Sequence, residues 1–249
     1  MQGRLSIRVA KAGAITIAIL VCGSYVFWLM LGVTDYRLGP WENLFNLGSE
    51  SNVPTWISTI QLFATALVCW RIRDIHVEQP ARSPSSGWWT ALAALFAIMS
   101  FDEVAKIHER VGASVRGIVP DLVVFRHSWV LPGVILVVVV AAASVRFLKM
   151  VPHGLRNRLL MGGALFVLGA VGFEVIDGLW QNVVGPNKWY RFSANVAEET
   201  SELTGVLICL VALLNYAESM NAMVPATLQS AADRPINGPS SAAPRRSDP

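Results

Sequence analysis

The residues best suited to chemistry in this chain are carboxylates. They recur at three places: Asp102-Glu103 running on to His108-Glu109, Glu174 with Asp177, and Glu198-Glu199 with Glu202. Each group adjoins a long apolar run. A charged side chain beside hydrocarbon is costly unless it is hydrated, paired or bound to a cation. Imidazole with carboxylate is a ligand set for Zn, Fe or Mn, and carboxylates alone suit Mg, Ca or Mn. The candidate metal ligands are Glu103, His108, Glu174, Glu199 and Glu202, with Asp102, Glu109, His127, Asp177 and Glu198 as secondary candidates. A divalent cation held there would lower the pKa of a bound water and make it a nucleophile.

Spacing decides which of these can act together. Glu174, Asp177 and Gln181 stand at i, i+3 and i+7, on one helical face. Glu198 and Glu202 are four apart, and Glu199 and Glu202 three apart, so on a helix they repel by a few tenths of a kcal/mol per pair. A helix N-terminus at that point would offset part of the repulsion. On a straight helix Asp102, Lys106 and Glu109 share a face and read as a helix-end salt-bridge set. Glu103 and His108 would be about 140° apart, and could meet one ion only if the helix ended or bulged between them. His127, at a helix start, reads first as an interfacial polar residue.

Familiar catalytic patterns are missing. His108-Glu109 is followed by Arg110, Val111 and Gly112, so there is no H-E-x-x-H, and there is no Glu-x-x-His pair, G-x-S-x-G or P-loop. What stands in the chain is D-E-x-x-x-x-H-E at Asp102–Glu109 and E-E-x-x-E at Glu198–Glu202. Together with the start of the span that contains Trp129, these motifs resemble a group of bacterial multi-pass membrane proteins without an assigned function. The resemblance covers roughly residues 95–210 and implies no particular activity.

The elements that must position these residues are membrane helices. The chain has 249 residues, of which 53% are hydrophobic and only 15% charged; a soluble domain carries about a quarter charged residues. Six runs are apolar enough to cross a bilayer: Ala12–Val33, Pro54–Trp70, Trp88–Phe101, Trp129–Phe147, Leu159–Trp180 and Val196–Tyr216. Lone apolar runs in lipid must satisfy their own backbone, so they read as helices despite many Val and Ile. The fold class is therefore all-α: six transmembrane helices in one bundle over residues 1–220, with a disordered cytoplasmic tail over 221–249. The third helix is expected to continue past Phe101 towards Val111. The first is expected to be retained rather than cleaved as a signal peptide.

Lysine and arginine set the expected orientation. With both termini cytoplasmic, the inner segments hold thirteen bases and five acids, and the outer segments seven bases and twelve acids. The balances are +8 and −5, which add to the chain's +3. This bias fits the positive-inside rule and puts all three carboxylate groups on the outer side. His76 and His153 are expected in cytoplasmic loops. Cys22, Cys69 and Cys209 lie in apolar runs without C-x-x-C spacing and read as buried hydrophobes. Gly162, Gly163, Gly169 and Gly172 read as a close-packing stretch of the fifth helix.

Three functions compete. One is a metalloprotein of the bacterial cytoplasmic membrane, acting on a lipid or other apolar substrate. Another is a structural or assembly protein whose acids pair with Arg110, Arg126, Lys188 and Arg191. The third is a proton- or cation-coupled transporter, although Gln61 is the one notable polar side chain at membrane depth. No basic block suits nucleic acid. The lipid bilayer is the one partner expected on any reading, and oligomeric state is left open.

Overall fold

The structure is a computed structural model that describes residues 4–34, 44–49, 51–78, 84–115, 129–185 and 187–232. Its helices are α1 (Leu5–Thr34), α2 (Val53–Glu78), α3 (Ser86–Ala105), α4 (Ile107–Val115), α5 (Val130–Met150), α6 (His153–Val167), a π-helical turn (Leu168–Phe173), α7 (Glu174–Val183) and α8 (Lys188–Ala232). Six stretches are long and apolar enough to cross a membrane, with α6, the π-turn and α7 joined into one of them. The protein is an all-α polytopic membrane bundle.

Helix α8 is its axis. It packs against α1, α2, α6 and the π-turn, while α2 and α3 form a tight hairpin. Its apolar span is the most enclosed of the six. α5 stands at the periphery, where Ile135, Leu136, Val138 and Val139 face outward as a lipid-contacting surface requires. Neighbouring helices run antiparallel: Ser6 N–H and Oγ donate to the carboxylate of Glu218 at 3.0 and 2.8 Å, and Ser100 Oγ donates to Thr59 O at 2.9 Å. The bundle thus has two ends. Arg4, Arg8, Arg73, Lys149 and Glu218 mark one, and the three carboxylate groups mark the other, called here the acidic end.

Glycine decides how closely α6 approaches α8. A Cβ at Gly162 would lie 2.6 Å from Cys209 Sγ and 2.7 Å from Gly205 O, and one at Gly205 would lie 2.6 Å from Gly162 O. No larger residue fits that crossing. With little hydrophobic drive between helices in lipid, such backbone proximity is a main source of association.

Four expectations need correction. α3 does not continue to Val111: it stops at Ala105, Lys106 takes a left-handed conformation (φ 52°, ψ 47°), and α4 restarts at Ile107. The fifth span is not a uniform α-helix but widens into the π-turn before Glu174. His76 is not in a loop. α2 runs two turns past Trp70, and His76 is buried against Trp89 and Tyr216 at ring separations of 5.5 and 6.5 Å. Finally, α8 carries on to Ala232, through the boundary expected at 220. Extending an existing helix costs far less than starting one, and the extension runs through Pro225, which gives up one backbone hydrogen bond. The rest of the expected tail, 233–249, lies outside the described residues.

Candidate functional site

The break after α3 is organised by Asp102. Its Oδ1 accepts the backbone N–H of His108 at 2.9 Å, and its Oδ2 lies 2.7 Å from His108 Nδ1. The side chain therefore caps the first turn of α4 while holding the ring. A carboxylate is acceptor only, so Nδ1 carries the shared hydrogen and Nε2 remains the available nitrogen. Among the described residues Nε2 has no hydrogen-bond partner. The ring meets Trp129 edge-on at 5.2 Å. Gly112 lets α4 approach that tryptophan, since a Cβ there would come within 2.9 Å of Trp129 N. Asp102, His108 and Trp129 thus join α3, α4 and α5. A carboxylate-tethered imidazole can serve as a general base or an oriented metal ligand.

The second assembly is built on α8. Glu202 has four other carboxylates within electrostatic reach: Glu199, Glu103, Glu198 and Glu174. They come from α3, α7 and α8. Glu198 in turn feels Glu174 and Asp177. Asp177, buried, accepts a hydrogen bond from Gln181 Nε2 at 2.5 Å, as the shared helical face predicts. The π-turn brings this about. Gly169 faces α8 so closely that a Cβ would lie 2.5 Å from Glu202 Cγ and 2.9 Å from Glu198 O. The extra residue of a π-turn re-aims the helix that follows, and such turns recur at functional sites. Trp180 stacks on Tyr190 at 4.3 Å and 13° between planes, which seats the tip of α7 on α8.

Of the ten candidates, the structure sets Glu103, Glu174, Glu198 and Glu199 within electrostatic reach of Glu202, and Asp177 within reach of Glu198. His108 is engaged by Asp102 rather than by Glu103. Glu109 points outward. His127, with the proposed counter-ion Arg126, lies outside the described residues. Among the described residues no three His, Cys, Asp or Glu side chains stand close enough to form a finished metal cage. The charge-pairing expectations also fail in part. Asp102 pairs with His108 instead of joining Lys106 and Glu109 in a salt-bridge set. No ion pair from Arg110, Lys188 or Arg191 to the cluster is seen among the described residues.

Two features had no sequence signal strong enough to find them. The Asp102–His108 tether depends on a left-handed lysine, which local propensity disfavours. The π-turn falls in Leu168–Phe173, where the glycines marked close packing but not a change of helical pitch. No curated protein and no solved structure matches the chain. A family model matches residues 12–216, which include every candidate site residue, and the chain belongs to that family, described as Domain of unknown function (DUF8692).

Proposed function

We propose that this membrane protein binds a divalent cation at its acidic end, between α3, α7 and α8, and that this end faces the outside of the cell. One observation carries the reading: four glutamates from three helices, Glu103, Glu174, Glu198 and Glu199, lie within electrostatic reach of Glu202. Carboxylates taken from water towards hydrocarbon need a compensating cation or protons. The donor set is hard oxygen, which favours Mg, Ca or Mn over Zn or Fe. Since among the described residues no three ligands are already converged, cation binding draws the glutamates inward and couples the three helices. The Asp102–His108 pair stands at the same end and supplies the base that a hydrolytic reaction on a lipid or other apolar substrate would need.

The test is metal content and linked stability. Detergent-purified protein is expected to keep roughly one metal per chain, and its melting temperature to fall on chelation and recover on adding metal back, as linkage requires. Glu202→Ala is expected to lose both the metal and the chelator response. A metal-free protein whose melting is indifferent to chelators and to added Mg, Ca, Mn, Zn or Fe overturns the reading. The runner-up is a purely structural protein, favoured by the contact of Gly169 with Glu202. On that reading Glu174→Gln and Glu202→Gln keep any cellular activity.

A further inference from the structure

A second place at the acidic end has the opposite charge. Trp28, Asn46, Gly48, Lys188, Arg191, Phe192 and Asn195 line an open cleft of about 300 Å³. That is at the small end of ligand sites, and large enough for a phosphate headgroup rather than a whole lipid. From this geometry we propose that the cleft binds the phosphate of an anionic membrane lipid, with Lys188 and Arg191 as the anion-binding pair.

The charges are available. Lys188 and Arg191 are exposed and make no ion pair among the described residues. Nor is the site simply the start of α8, because Asn187 Oδ1 already accepts the N–H groups of Trp189 and Tyr190 at 2.9 and 3.1 Å. The amide of Asn195 is a third polar group, half-buried and without a hydrogen-bond partner among the described residues. Arginine and lysine beside an amide donor are the usual way a phosphate is held.

The cleft is also preformed. Its far wall is the segment 44–49, which Ser24 pins to α1: Ser24 Oγ donates to Phe45 O and accepts from Leu47 N–H, both at 2.9 Å. Asn52, just before α2, holds the same segment, donating to Asn46 O and Ser49 O at 2.7 Å each. Gly48 then faces Asn195 so closely that a Cβ would fall 2.7 Å from Asn195 Nδ2. The floor is aromatic, with Trp28 stacked on Phe192 at 4.9 Å.

Position selects a lipid over free phosphate. Trp28 lies within two turns of the end of α1 at Thr34, and Lys188 opens α8. The cleft is therefore at the depth of a membrane–water interface, where tryptophan anchors and lipid phosphates lie. Trp189, which meets the Trp28 ring of the cleft, is apolar and 54% exposed. A phosphate with attached acyl chains satisfies both surfaces at once, and an inorganic ion only one. The inference does not depend on a metal, since neither cation of the cleft belongs to the glutamate cluster.

The experiment is a binding comparison on the full chain in neutral detergent, read by native mass spectrometry. The probes are dioctanoyl phosphatidylglycerol, dioctanoyl phosphatidylcholine and inorganic phosphate. The expected result is phosphatidylglycerol binding about tenfold tighter than phosphatidylcholine, with inorganic phosphate weaker still. Lys188→Gln/Arg191→Gln, both exposed and safe for folding, is expected to erase the preference. Gly48→Leu fills the cleft without changing charge and is expected to do the same. The proposal is overturned if the double variant keeps the preference, if a folded Gly48→Leu keeps it, or if wild type shows none. Inorganic phosphate binding as tightly as phosphatidylglycerol overturns the lipid assignment.

Discussion

Two glycines six residues apart, Gly163 and Gly169, offer a controlled test of how the carboxylate cluster is assembled. A Cβ at Gly163 would meet nothing within 4 Å, whereas one at Gly169 would lie 2.5 Å from Glu202 Cγ, 2.9 Å from Glu198 O and 3.1 Å from Glu202 N. Alanine at Gly163 therefore gains only helix propensity, about 0.5–1 kcal/mol. Alanine at Gly169 gains no more than that and incurs overpacking of roughly 1–3 kcal/mol, because two of the three atoms it meets are backbone. The two variants should differ by roughly 2 kcal/mol. Gly163→Ala is expected to melt at or above wild type, and Gly169→Ala clearly below it, in thermal unfolding followed by circular dichroism or by loss of monodispersity in detergent. The Gly169 variant should also displace Glu202, so its chelator response should shrink. Equal melting temperatures for the two variants would refute the reasoning, because the bundle would then tolerate separation of the π-turn from α8.

Asp102→Ala removes the cap on α4 and the tether on His108. A cap contributes about 1 kcal/mol and a hydrogen bond to a charged group about 1.5–3 kcal/mol. The pair is about a third exposed, so a total near 2 kcal/mol is expected after screening, measured as reduced thermal stability; a change below about 0.5 kcal/mol would show that the break is held by other contacts. Orientation is checked by fusions: a reporter joined after Arg191 is expected to be active outside the cell and one after Arg82 inside, and the reverse pattern inverts the bundle. Glu218→Ala should loosen the start of α1, since Ser6 loses two acceptors at once, and amide exchange at Ser6 should rise accordingly.

What was legible in the sequence depended on what determines each feature. The spans follow from apolar length, because lipid leaves a lone chain no alternative to a helix. That Glu103, Glu174 and Glu202 fall within electrostatic reach at one end of the bundle was likewise readable, because alternating helix direction brings those three ends to one depth. The partners of individual side chains were not. His76 looked like a loop residue because the apolar run ends at Trp70, yet Trp89 and Tyr216 from two other helices enclose it. Burial by distant elements leaves no local trace. Asp102 was grouped with Lys106 and Glu109 on the assumption of a straight helix. The left-handed Lys106 moves His108 round to it instead. The same break is the one circumstance under which Glu103 and His108 could have approached each other, and the structure uses it for Asp102.

Helix α8 carries both charged sites on one stripe, and the periodicity gives that arrangement a meaning. Lys188, Asn195 and Glu202 are successive heptad positions, and each step of seven falls only about 20° short of two full turns. The cationic cleft and the centre of the glutamate cluster therefore share nearly the same face. Fourteen residues separate Lys188 from Glu202, about 21 Å along the axis at 1.5 Å per residue. Opposite charges on a shared helical face normally neutralise each other at spacings of three or four residues. Here the nearest of them, Arg191 and Glu198, stand seven residues apart, about 10.5 Å along the axis, with Phe192 and Val196 buried between Lys188 and Glu202. A helix arranged this way does not quench its own charges. On the two proposals made above, it would present an anion site at the interface and a cation site deeper along the same line, as suits an amphiphile gripped by its headgroup while another part of it reaches Glu202.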